Sequence, residues 1–168
     1  MTVYSTTFHH NGWSFNAAAT RNGLCYLGPH HLAANEMKPF FQRYLPNEKV
    51  EENENILTPY ITELKEYLEG NRQEFGSKVD LYGTPFQQQV WKALQHIPFG
   101  KTVTYSDIAK FIGKPRAVRA VGAAIGANPI FIIIPCHRVI GKNGTLTGFR
   151  GGLDMKKQLL WLEKGENK

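Results

Sequence analysis

Between Ala120 and Cys136 the chain carries no charged residue, and this stretch limits what the protein can fold into. It is shorter than the ~20 apolar residues that a membrane-spanning helix needs. Gly122, Gly126, Asn128, Pro129 and Pro135 interrupt it, so no single long helix can absorb it. Its densest part, Ile130-Phe131-Ile132-Ile133-Ile134, is too short for a helix of its own. It reads as a buried strand or core segment. The rest of the chain must enclose it, and 168 residues with 42% hydrophobic content suffice for one domain or two small ones. That composition excludes a disordered or collagen-like chain.

The first 30 residues read as short strands, Val3 to Phe8, Trp13 to Ala18 and Leu24 to Leu27, with turn signals at Asn11-Gly12 and Asn22-Gly23. Leu32 to Tyr44 and Thr58 to Leu68 have helical spacing, and the acidic Glu48 to Asn55 between them reads as a loop. The polar, Gly-containing stretch from Gly70 to Asp80 marks a boundary between a domain at 1–80 and another at 81–168. Thr84-Pro85-Phe86-Gln87 opens the second with a capping box and Pro at the first helical position. That helix ends near Gln95. Ser106 to Ile112, Gly113-Lys114 and Pro115 to Ile125 then follow helix-turn-helix spacing, with Arg116 and Arg119 one turn apart. Asn143-Gly144, flanked by Val139-Ile140 and Leu146 to Phe149, predicts a hairpin, and Leu153 to Glu163 a last helix.

Charge is divided unevenly. Residues 1–80 hold 7 Lys/Arg and 10 Asp/Glu, a net of −3, whereas residues 81–168 hold 13 and 4, a net of +9. A basic half beside an acidic one is either a solvated surface or the footprint of a polyanion. Joined to the helix-turn-helix spacing, it favours nucleic acid.

Two cysteines, Cys25 and Cys136, cannot form a disulfide framework and point to a reducing, cytoplasmic compartment. No signal-peptide pattern is visible at Met1 to Ser5. Cys136 is followed directly by His137 and Arg138, and neighbouring cations lower a thiol's pKa and expose the thiolate nucleophile. A buried structural thiol is the competing reading. In an extended chain Cys136 and His137 point apart, so a direct pair requires a bend, for which Pro135 is suited, or a bridging water.

Ile134-Pro135-Cys136-His137-Arg138-Val139 resembles the active-site motif of the O6-alkylguanine-DNA alkyltransferases, the methylated-DNA–protein-cysteine methyltransferases. The similarity extends over nearly all of residues 84–168, while the first half fits the family's variable first domain loosely. The resemblance implies an α/β (α+β) fold: a small N-terminal three-stranded antiparallel sheet with helices, and a mainly helical C-terminal domain with a helix-turn-helix and a small hairpin. It implies a single-turnover repair reaction in which Cys136 takes the alkyl group from O6 of guanine, and also from O4 of thymine, as a permanent thioether. His137, through a water, is the implied base, Glu163 its orienting carboxylate and Asn128 the hinge between helix-turn-helix and active site. Tyr105 and Arg119 are the implied tyrosine and arginine finger of base flipping. Bland alternatives exist for each: a helix-end carboxylate, a helix-terminating Asn, an N-terminal staple tyrosine and a solvated arginine.

The family's second helix enters the minor groove of double-stranded DNA. Small residues Ala117, Ala120 and Gly122 suit that approach, with Arg116 and Lys114 as phosphate contacts. Val139, Phe149, Arg150 and Gly151 are the implied lining of the base pocket. No cofactor is expected, nor a metal: Cys25, His9-His10 and His30-His31 do not match the zinc pattern of some relatives. The expected protein is a monomer without a membrane partner. Two further classes stand beside the enzyme, a binder of alkylated DNA that recruits other repair factors and a helix-turn-helix regulator with an incidental cysteine. Cys136, His137 and Glu163 discriminate, because a binder needs none of them.

Overall fold

The computed structural model describes residues 1–165, and the chain divides into two units between Tyr82 and Gly83. In the first unit, β1 (Thr2–His10), β2 (Trp13–Thr20) and β3 (Gly23–Pro29) form an antiparallel meander. α1 (His30–Tyr44) follows, and then β4 (Lys49–Glu52) pairs parallel with β1, giving the order β3-β2-β1-β4. The acidic segment expected as a loop is thus partly a strand. An edge strand is held by backbone bonds along one side and needs no apolar alternation. Its charged side chains protect that edge, and Lys49 pairs with Glu51 at 2.7 Å. Asn53 leaves the strand and caps α2 (Glu54–Leu68), accepting from the Ile56 N–H at 3.2 Å, so this helix starts four residues before Thr58. Residues around Val79 return to β3, where Leu24 N–H donates to the Lys78 carbonyl and Asp80 N–H to that of Leu24. That pairing carries the boundary past Asp80.

The second unit opens with α3 (Pro85–Leu94), and its capping box is formed as the sequence predicts, Thr84 with Gln87. β5 (Val103–Thr104) leads into α4 (Tyr105–Phe111), which carries a second box, Thr104 with Asp107. α5 (Val118–Gly126) begins three residues after the expected Pro115. The reason is local: Ala117 N–H donates to the Lys114 carbonyl at 2.9 Å, so Pro115 takes the second position of a tight turn, which its fixed φ also suits. Arg116 therefore lies in the turn, ahead of the helix. The Trp91 indole N–H donates to the Ala124 carbonyl at 2.8 Å and fastens α3 to α5. A last helix, α6, spans Leu153–Lys164.

The apolar run 130–134 is core, not strand. Ile133 N–H bonds to the Phe131 carbonyl and Ile134 N–H to that of Ile130, with Ile132 at φ 70°. A β-branched residue in the left-handed region is held there only by its surroundings. β6 (Val139–Ile140) pairs parallel with β5, so the hairpin expected at Asn143-Gly144 does not form. The turn itself exists, with Gly141 N–H on the Thr145 carbonyl at 2.8 Å. Residues 145–149 then continue without ladder pairing, and the structure replaces the small hairpin with a turn and a loop.

Candidate active site and DNA-binding face

The site grows from the apolar turn. Asn128, buried just past the end of α5, holds both ends of that turn. Its Oδ1 accepts from the Ile130 N–H and its Nδ2 donates to the Ile134 carbonyl, each at 2.9 Å. The chain beyond is thereby fixed, and Cys136–Arg138 forms one 3-10 turn. That turn is the bend Pro135 was expected to allow. It aims Cys136 one way and His137 and Arg138 the other.

Cys136 faces a small cleft of about 50 Å³. Tyr105, Gly122, Asn128, Phe149, Arg150 and Lys156 are among its walls. The sulfur's environment is mixed. Burial pushes the thiol pKa up, against the Asn128 carboxamide and the charges of Arg150 and Lys156, which favour the thiolate. Burial outweighs them, whereas the cationic neighbours in sequence suggested the opposite sign.

His137 and Arg138 turn the other way, onto α6. His137 Nε2 lies 2.7 Å from Glu163 Oε2, and Arg138 grips the same carboxylate with Nε at 2.8 Å and Nη2 at 2.9 Å. Gly100 N–H adds a contact to Oε1 at 3.3 Å, and Arg138 Nη1 donates to the Ile97 carbonyl at 2.6 Å. All three side chains are buried, so Glu163 is no solvent-facing helix end.

Lys156 was not singled out by the sequence. It lies two turns before Glu163 on α6, fully buried, with Nζ donating to the Val139 carbonyl at 2.6 Å. Burial holds its pKa below the ordinary lysine value, against the pull of Cys136. A lysine seven residues from the candidate carboxylate, among Met155, Leu159 and Leu160, was the available signal. Arg138 was visible too, but as a cation beside Cys136, whereas the structure turns it onto Glu163.

The loop over the cleft is pinned from several sides. The Tyr105 and Thr147 hydroxyls meet at 2.7 Å. Arg150 donates to the Gly126 and Asn128 carbonyls at the end of α5 and stacks on Phe131. Gly151 passes so close that a Cβ would sit 2.8 Å from the Met155 sulfur and 2.9 Å from the Phe149 ring. Gly151 and Val139 do not wall the cleft themselves. Val139 is buried beneath it and contributes its carbonyl to Lys156.

On α5, Arg119, Ala120, Ala123, Gly126 and Ala127 share one exposed face, with exposed Lys114 and Arg116 in the preceding turn. Gly122 points inward instead, its Cβ position 3.8 Å from the Tyr105 ring, and Ala117 is the half-buried N-cap. Ala117 offers no side-chain acceptor, which leaves the first-turn N–H groups beside Arg116 and Arg119, an arrangement suited to phosphate.

Comparison with known proteins decides the family. The chain is 49% identical over 163 residues to the inducible methylated-DNA–protein-cysteine methyltransferase of Bacillus subtilis (strain 168), covering 97% of this chain and 91% of that protein. The chain belongs to the methylated-DNA–protein-cysteine methyltransferase family. The family described as 6-O-methylguanine DNA methyltransferase, DNA binding domain, matches residues 85–165. A methyltransferase of the same name from Methanosarcina barkeri is 48% identical over 145 residues, 82% of this chain and 92% of that one. The fold resembles the crystal structure of Mycobacterium tuberculosis OGT in complex with DNA, with a TM-score of 0.83 and 38% identity over 97% of this chain and 94% of that one. Among the described residues no helix is long and apolar enough to cross a membrane, and no cluster of His, Cys, Asp and Glu is placed to hold a metal ion.

The two thiols give a pH dependence. Burial pushes Cys25 up to about 12 and raises Cys136, whereas in the unfolded chain both titrate near ~8.5. Below that pH both states keep these protons and the contribution is intact. Above it the unfolded state loses protons that the folded state retains, so stability falls as pH rises, by up to about 1.4 kcal/mol per pH unit for each thiol. Urea denaturation between about pH 8 and 10 is expected to show this fall, and the Cys25→Ala/Cys136→Ala protein a shallower one. Equal slopes would contradict the assignment.

Proposed function

We propose that Cys136 is the nucleophile of a stoichiometric transfer that removes the alkyl group from O6-alkylguanine, and from O4-alkylthymine, in duplex DNA. One observation carries this: the only cysteine of the second unit lies at the cleft floor with cations beside it and a His–Glu pair behind it. The thiol proton passes to His137 through a water, and Glu163 stabilises the imidazolium that forms. The S–C bond forms as the C–O6 bond breaks, the electron pair leaves on the guanine, and in the net reaction the guanine takes up the proton that the thiol gave up. Sulfur is soft and suited to displacement at saturated carbon. Lys156 and Arg150 hold positive charge near the sulfur while it is anionic, and Tyr105 hydrogen-bonds the departing base.

A guanine in a duplex must leave the stack to reach this cleft. The exposed face of α5 is small enough to approach a narrow minor groove, and Arg119 at its start is the residue that fills the vacated stack. Lys114 and Arg116 contact phosphates, giving salt-dependent, sequence-independent binding. The two free cysteines support a reducing compartment, the cytoplasm, and the protein acts as a monomer without a cofactor.

Cys136→Ala is expected to abolish transfer while largely preserving affinity for methylated duplex, measured by repair assay and gel shift on the same preparation. Methyl removal by this variant would overturn the mechanism; lost binding would place Cys136 in recognition. Arg119→Ala is expected to slow repair of duplex more than reaction with free O6-alkylguanine. Equal losses on the two substrates would remove the finger role.

A further inference from the structure

Thr147 meets Tyr105 across the rim of the cleft, hydroxyl to hydroxyl at 2.7 Å. The threonine is held from two other sides as well. Its carbonyl accepts from Lys156 Nζ at 3.4 Å, and Lys156 is itself buried and bonded to the Val139 carbonyl. Its methyl group lies against Gly141, where a Cβ would sit 3.0 Å from Thr147 Cγ2 and 2.6 Å from Thr145 Oγ1. A β-branched side chain has few χ1 choices, and with the methyl at Gly141 the hydroxyl faces Tyr105. Tyr105 in turn opens α4, with its ring against Gly122 of α5. Each hydroxyl is thus aimed by its own surroundings.

A hydroxyl has one proton to give and two lone pairs. Only one proton lies in a bond between two hydroxyls, and either residue can supply it. A Tyr105 that donates to Thr147 has no proton left for a base. A Tyr105 that accepts from Thr147 keeps its own proton for the base. We propose that Thr147 is a positioning residue for the transfer, donating to the Tyr105 oxygen while Tyr105 donates to the departing base. The proposal rests on the reading above, in which Tyr105 hydrogen-bonds that base. Electron density moves onto the guanine as the C–O6 bond breaks, so the base becomes a better acceptor. A bond from Thr147 makes Tyr105 a better donor, because successive hydrogen bonds polarise one another. The interaction is therefore strongest in the transition state, and it raises the rate of transfer more than the affinity for DNA. Neither hydroxyl gives up its proton, so the balance of the transfer is unchanged.

The test pairs single-turnover transfer from duplex O6-methylguanine with alkylation of Cys136 by iodoacetamide, a reaction that involves no guanine. Thr147→Val keeps the shape of the side chain and removes the hydroxyl. It is expected to slow transfer about fivefold, the worth of one ordinary hydrogen bond, with duplex affinity and the iodoacetamide rate unchanged. Thr147→Ser keeps the hydroxyl and is expected to stay within about twofold of wild type. In a Tyr105→Phe protein, slowed in its own right, Thr147→Val is expected to cost nothing more. Three results would each overturn the proposal: full-rate transfer by Thr147→Val, an equal loss in the Tyr105→Phe background, or a matching fall in the iodoacetamide rate. The last two would mark a role in holding the loop. Should valine disturb the loop, Thr147→Ala makes the same comparison. Tyr105→Phe separates the two levels. Full-rate transfer by that variant would remove the tyrosine's contact with the base, and Thr147 with it, whereas a slow Tyr105→Phe beside an unchanged Thr147→Val would remove Thr147 alone.

Discussion

Burying a carboxylate costs several kcal/mol unless its oxygens are matched, and Glu163 is buried. The match comes from two separate parts of the chain, the 3-10 turn that bears His137 and Arg138 and the Gly100 amide after α3, and it joins both to α6. Removing one partner leaves a charge uncompensated at a cost of about 3–5 kcal/mol. Few other arrangements of these segments can satisfy it, so this one carboxylate ties them together. Active-site geometry and the register of α6 are therefore one constraint.

A second buried polar residue sets the opposite wall. Asn128 spans the apolar turn 130–134 with both ends of its carboxamide, and Ile132 is held in the left-handed region by that closure. Arg150 reaches the carbonyls of Gly126 and Asn128 from the loop above. The end of α5, the apolar turn that leads to Cys136 and the loop over the cleft thus share a set of hydrogen bonds. Few of these contacts are between apolar groups, although the segment they organise is the most apolar in the chain.

Much of this was legible in the sequence where local rules decide. Thr84-Pro85-Phe86-Gln87 produced its capping box because such a box needs only four residues. The six-residue motif around Cys136 pointed to the family because its residues are contiguous and need no distant partner to be read. Legibility failed where distant partners win. Asn143-Gly144 turns as its residues prefer, yet Val139-Ile140 pairs with Val103-Thr104, and the hairpin has no second strand. Pro115 suits both a helix start and a turn, and a single bond from Ala117 N–H decides between them. Lys49–Glu52 pairs by backbone with β1, which no side-chain pattern announces. The sign of the Cys136 shift was misread for a related reason. Adjacent cations in sequence suggest a lowered thiol, but His137 and Arg138 turn away toward Glu163, and burial dominates.

The central claim is a covalent one, and the mass of the intact protein tests it most directly. After incubation with duplex DNA containing O6-methylguanine, the chain is expected to gain about 14 Da, one CH₂ unit, once only, with peptide mapping placing it on Cys136. No gain in a protein shown to bind that duplex, or a gain on any other residue, would contradict the account.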